Sequence, residues 1–244
     1  MQRQLKASLF YLSSEIRYTA IIFWAIILSI LAFSLVLDIA FFKNSDGQMM
    51  FNFSFPLYIF SAIVAQQTVK GSIPYLIKMG STRKNIFASF SIYFFVISLV
   101  NAFIANTVHS LIVNFYPNSQ SVVTLGSVSN TKSGESLSFN HLAFFLEDTW
   151  MTRMVVDTTI MFFLMAFAFV LGLFFYRFGL LGGFSFIGII VLFFIIGMAQ
   201  GWLLDFFVYV FSDITLLVFI QLFFVGLIIY FASYVLLRRL TIQG

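Results

Sequence analysis

The sequence predicts an all-α membrane protein with six transmembrane helices, and three observations carry that prediction. Of its 244 residues, 61% are hydrophobic and only 9% charged, with mean hydropathy +1.03. A soluble domain of this size cannot bury so much apolar surface, so lipid must be its solvent. Six apolar stretches, at residues 20–37, 55–75, 87–113, 155–175, 180–200 and 215–237, each reach the ~20 residues that cross a bilayer as a helix. No segment shows the alternation over ~10 residues that marks a transmembrane barrel. The whole chain, residues 1–244, reads as a single transmembrane domain.

The N-terminal 17 residues predict an amphipathic interfacial helix. Leu5, Leu9, Leu12 and Ile16 fall on one helical face, while Arg3, Lys6, Ser13 and Arg17 take the other. The apolar segment that follows is too long for a signal peptide, lacks a small-residue cleavage site and is followed by five more spans. Between spans one and two lies a short outer connection. The outer loop at 116–153 is the longest polar stretch, and the Ser, Asn, Thr and Gly of residues 119–138 cannot build a core. The segment 201–213 carries Trp202, Phe206, Phe207, Tyr209 and Phe211 between Asp205 and Asp213. It is too short to cross, so it predicts a re-entrant or outer-surface helix anchored by aromatics.

Charge sets the orientation. Arg3, Lys6, Arg17, Lys70, Lys78, Arg83, Lys84, Arg177, Arg238 and Arg239 all fall on one side of this plan, ten of the 13 basic residues. By the positive-inside rule both termini and the span two to three connection are cytoplasmic. The same placement accounts for the net charge of +4 without nucleic acid. Cysteine is absent, which removes disulfides and thiolate chemistry.

Enzyme chemistry finds little support. His109 and His141 have no neighbouring His, Cys or carboxylate at ligand spacing, so no metal site is expected. No P-loop occurs, so the chain has no ATP-hydrolysing site of that type. The intramembrane polar residues leave two readings open. Ser98, Asn101, Ala105 and His109 share one face of span three, and Gln66, Gln67, Lys70, Gln200 and Gln221 lie in or beside other spans. They are expected to point into the bundle, either lining a translocation path or hydrogen bonding between helices. Ser98, Asn101, His109 and Gln66 are the candidate pore-lining residues. Gly179-x-x-x-Gly183 and Gly197-x-x-x-Gly201, at the two ends of span five, offer sites of close helix approach.

The run Met79-Gly80-Ser81-Thr82-Arg83-Lys84-Asn85-Ile86-Phe87 interrupts the apolar pattern. Pro74 and Gly80 bracket a polar stretch that reads either as a short surface helix or as an ordinary positive-inside turn with no partner, and Ser81 or Thr82 is the expected cap of the helix that continues into span three. This run resembles the Gly-x-Thr-Arg-Lys/Arg-x-x-Phe signature of bacterial type-2 ATP-binding-cassette (ABC) exporter permeases. Tyr176-Arg177-Phe178-Gly179 is similar to that family's turn between spans four and five, and Leu236-Leu237-Arg238-Arg239-Leu240-Thr241 to its ending after span six. The resemblance covers nearly the whole chain but not the 116–153 loop, which leaves the substrate class open.

The resemblance implies the membrane subunit of an ATP-driven exporter in the bacterial cytoplasmic membrane, moving a hydrophobic or amphipathic peptide, drug or lipid. Met79, Gly80, Ser81, Thr82, Arg83 and Lys84 would form a cytoplasmic coupling helix that docks on an ATPase subunit. ATP and Mg would sit on that partner, with no cofactor on this chain, and a second permease copy or paralogue would complete the pore. Against it stand a non-transporting membrane partner or sensor protein and an ion-coupled carrier, for which Asp157 is the one intramembrane carboxylate.

Overall fold

Backbone hydrogen bonds have no water to satisfy them in hydrocarbon, and helices are the local solution that a Phe-, Leu- and Ile-rich chain adopts. The computed structural model describes residues 2–37, 40, 51–52, 54–115, 122–123, 149–212 and 216–238. These form helices α1 (Gln2–Leu37), α2 (Ser54–Lys70), α3 (Ser72–Lys78), α4 (Arg83–Phe115), α5 (Trp150–Ala199), α6 (Trp202–Ser212) and α7 (Leu216–Arg238). Outside the helices, β1 (Phe51–Asn52) pairs in parallel with β2 (Val122–Val123). Most of the predicted outer loop, His141, Asp213 and Arg239 lie outside the described residues.

Four helical stretches, Gln4–Leu37, Arg83–Ile112, Trp150–Ala199 and Leu216–Arg238, are long and apolar enough to cross a membrane. α1 shows no break between the predicted interfacial segment and the first span. The apolar face of its N-terminal part packs on protein: Leu12 and Ile16 are buried in the same core cluster as Ile73 and Leu76 of α3.

Two helices depart from the predicted spans at identifiable residues. The second span was expected to run unbroken to residue 75, but α2 ends at Lys70 and α3 restarts at Ser72. Pro74 lacks the N–H that would bond the Lys70 carbonyl, so the ladder fails there, while in the first turn of α3 the same missing N–H costs nothing. α5 is interrupted at Gly179 (φ 70, ψ −170), a conformation essentially confined to glycine. The rings of Phe174 and Phe186 stack at 4.0 Å, although twelve helical steps would separate their backbones by about 18 Å in a straight helix. The chain therefore bends sharply between them. α5 also begins at Trp150, capped by Thr149, whose Oγ1 accepts from Thr152 N at 3.2 Å. Arg153 consequently belongs to a helix and not to the outer loop.

The first arm of α5 is the centre of the packing, with α2, α4 and α7 against it. Phe169 lies 5.5 Å from Phe90, 5.3 Å from Phe94 and 5.7 Å from Tyr230, ring centre to ring centre. Two glycines bring helices close. A Cβ on Gly172 would stand 2.9 Å from Val69 Cγ2 of α2, and one on Gly226 of α7 would stand 3.3 Å from the Phe163 backbone. Beyond Gly179 the second arm is largely exposed, with Leu180, Leu181, Ile189 and Phe193 facing outward.

Candidate functional site

The basic run between α3 and α4 is shaped by ordinary capping chemistry. Gly80 adopts φ 80. Its N–H donates to the Ile77 carbonyl and the Ser81 N–H to the Leu76 carbonyl, each at 3.0 Å. This is a Schellman ending, and it places glycine where a side chain is disfavoured. Thr82 then caps α4, its Oγ1 accepting from Asn85 N at 3.4 Å. The result is a tight turn that leaves Met79, Gly80, Thr82, Arg83 and Lys84 exposed and Ser81 half-buried.

Four tertiary contacts hold this turn in place. Asn85 Nδ2 donates to Gln4 Oε1 of α1 at 2.7 Å. Ser72 Oγ, at the start of α3, donates to Glu15 Oε2 of α1 at 2.5 Å, and Tyr11 stacks on Tyr75 at 4.4 Å. Arg83 Nη1 donates to the carbonyl of Arg238 at the end of α7, where the helix leaves carbonyls unpaired. One layer lower, Tyr230 Oη donates to the Phe87 carbonyl at 2.6 Å. The N-terminus, the α3–α4 turn and the end of α7 thus form one braced end of the bundle.

A second polar assembly lies about 35 Å away along α4, at the helical rise per residue. Asp157 of α5, only 1% exposed, accepts from Tyr58 Oη of α2 at 2.6 Å and from Asn106 Nδ2 of α4 at 2.8 Å. One turn earlier, Arg153 Nη1 lies 2.5 Å from His109 Nδ1. A guanidinium can only donate, so Nδ1 must carry the lone pair and the ring hydrogen sits on Nε2. Nearby, Trp24 Nε1 donates to Asn101 Oδ1 at 3.1 Å, joining α1 to α4.

No family model matches the chain, and no curated protein or solved structure matches it.

Of the four candidate pore-lining residues, three are buried and one is not. Ser98 donates to the Phe94 carbonyl at 2.8 Å and touches Met165 Sδ at 3.5 Å, and Asn101 and His109 have the partners given above. Gln66, with Gln67, lies on the outward face of α2, and Gln200 and Gln221 are likewise exposed. These four amides do not point into the chain's own core as expected; on α2 and α7 the inward positions are held by other residues, among them Val64, Ala65, Thr68 and Val69 on α2 and Gly226, Tyr230 and Ser233 on α7. Tyr58, Asn106 and Arg153 were not singled out in the sequence. The signal available was Arg153-x-x-x-Asp157, an opposite-charge pair one turn apart in a chain with few charges. Among the described residues no group of His, Cys, Asp or Glu could hold a metal ion.

The glycine pairs of α5 lie at its two turns, where the chain folds back on itself. Gly179 and Gly201 supply turns with positive φ. Gly183 and Gly197 lie beneath the side chains of the returning chain, Phe175 over the first and Trp202 over the second.

Proposed function

We propose that this chain is the membrane-spanning permease subunit of an ATP-driven exporter. The observation that carries the reading is the Met79–Lys84 turn, an exposed basic loop braced against α1 and α7 instead of hanging free. A surface meant only to satisfy membrane topology needs charge but no bracing, whereas one that passes force to a bundle needs both. In this reading Met79, Gly80, Ser81, Thr82, Arg83 and Lys84 dock in a cleft of a cytoplasmic ATPase, which holds the ATP and Mg. A second permease copy or paralogue completes the pathway. Nucleotide-driven closure of the ATPase pair tilts the bundles as rigid bodies.

The six-span plan belongs to this proposal. α2 is about 26 Å long and each arm of α5 is about 30 Å or more, so these segments supply the additional crossings. α6, with Leu203 inward and Phe206 and Tyr209 outward, takes the place of the re-entrant outer helix. Both termini then lie in the cytoplasm of a bacterial cell. A hydrophobic or amphipathic cargo suits walls rich in phenylalanine. An ion-coupled carrier would draw on Asp157, but both oxygens of that carboxylate already accept hydrogen bonds from neighbouring helices.

A pull-down from the native host in mild detergent, read by mass spectrometry, tests the proposal. A P-loop ATPase recovered near one-to-one and lost on Lys84→Glu supports it. Recovery of the chain alone across several detergents would overturn it.

A further inference from the structure

Between α1 and α4 lies an open groove of about 650 Å³ whose two walls differ chemically. Ser13, Ser14 and Arg17 of α1 line one part of it, and Ile92, Val96 and Val100 of α4 line the other. Positions three and four apart on a helix share a face, so both hydroxyls flank the guanidinium. The acid between them does not neutralise it, because Glu15 turns to Ser72 on the opposite side. Ser13 donates to the Phe10 carbonyl at 2.9 Å, while Ser14 and Arg17 have no hydrogen-bond or ionic partner among the described residues. On α4, Ile92, Val96 and Val100 are each roughly half exposed and follow one another at every fourth position. They form an apolar stripe about 12 Å long.

A cation beside hydrocarbon is costly unless it meets an anion, and the planar fork of arginine matches a phosphate with two parallel hydrogen bonds. We propose that this groove seats one phospholipid with an anionic head group. Arg17 and the Ser14 hydroxyl hold the phosphate, and one acyl chain lies along Ile92, Val96 and Val100. The occupant must offer an anion to the α1 wall and hydrocarbon to the α4 wall, and a free phosphate has no hydrocarbon to offer. A second copy of this chain would have to present its own acid at membrane depth, and the acids of the described spans, Glu15 and Asp157, already accept hydrogen bonds from Ser72 and from Tyr58 and Asn106. The site does not depend on the exporter reading.

Native mass spectrometry of the detergent-solubilised full chain, titrated with phosphatidylglycerol or phosphatidylcholine, tests the proposal. We expect one phosphatidylglycerol to be retained in preference to phosphatidylcholine. Arg17→Gln should weaken that retention about tenfold, the value of one charge-assisted contact, and Arg17→Lys should retain most of it. Val96→Trp should fill the apolar part and release both lipids. Both positions are exposed or half exposed, so the fold is expected to survive, as circular dichroism will check. Equal retention of the two lipids, or unchanged retention in Arg17→Gln, would overturn the site. So would a Val96→Trp variant that keeps its lipid but loses a dimer, since the groove would then belong to a second copy.

Discussion

Tyr58 on α2 and Asp157 on α5 are joined by a 2.6 Å hydrogen bond between two buried side chains, with Tyr58 Oη as donor. Asn106 completes the carboxylate from α4, so a single acid ties three helices. Tyr58→Phe should lower stability by ~1–3 kcal/mol, since the carboxylate loses one donor in a site closed to water. Asp157→Ala should cost more, because it strands both donors and removes the anion facing Arg153. Thermal unfolding in detergent measures both. An Asp157→Ala variant as stable as the parent would show that the network is not structural.

The α2–α5 contact depends on Gly172. A Cβ at that position would stand 2.9 Å from Val69 Cγ2, inside normal contact distance. Gly172→Val should therefore destabilise the bundle by ~1–3 kcal/mol through overpacking. Val69→Ala in the same chain should restore part of the loss, and a double-mutant cycle quantifies the coupling. Strict additivity would place the clash elsewhere.

Gly179 sets the bend of α5. Any other residue at φ 70, ψ −170 pays ~1–3 kcal/mol of backbone strain. The chain has no cysteine, so a Phe174→Cys/Phe186→Cys pair can report the bend by disulfide formation without background. The cross-link should form in that double variant and be reduced when Gly179→Ala is added. An unchanged yield would mean that packing, not glycine, holds the arms together.

Arg83 and Lys84 should behave differently despite being adjacent. From the sequence, reversing Arg83 is expected to break docking while leaving the fold intact, as for any surface charge. In the structure Arg83 also donates to the Arg238 carbonyl, so Arg83→Glu should lose both ATPase recovery and part of the stability of the α7 end. Among the described residues Lys84 makes no such bond, and Lys84→Glu should lose ATPase recovery with Tm unchanged. Equal Tm for the two variants would refute the second role of Arg83.

Several elements were legible in advance because their causes are local. Hydropathy over ~20 residues marked the long helices, and Thr82 and Gly80 announced a helix start and a helix stop. The end of α2 at Lys70 was also legible, since Pro74 lies four residues on, but apolar composition continuing to residue 75 concealed it. The start of α5 at Trp150 was masked in the same way: Thr149 is a cap residue, but it stands in a polar stretch that reads as loop.

The candidate network was not legible, and the reason is its reach. Tyr58 and Asp157 are 99 residues apart, Asn106 and Asp157 51 apart, and Ser72 and Glu15 57 apart. Periodicity shows that a polar residue shares a helix face with others but not which helix that face meets. This is why Ser98, Asn101 and His109 were placed together correctly on α4 while Gln66 was expected inside and stands outside.

The sequence by itself determined that this chain is helical and too apolar for water, that its basic residues gather in a few short segments, and that the run from Met79 to Lys84 breaks the apolar pattern with a capped turn. These follow from solvation and from backbone chemistry within a few residues. Only the tertiary structure decided that the turn is braced by Gln4, Glu15 and Arg238, that Asp157 is shared among three helices, and that Gly172 and Gly226 set helix spacing. Those depend on which surfaces meet, and that choice is made by close packing between segments far apart in the chain.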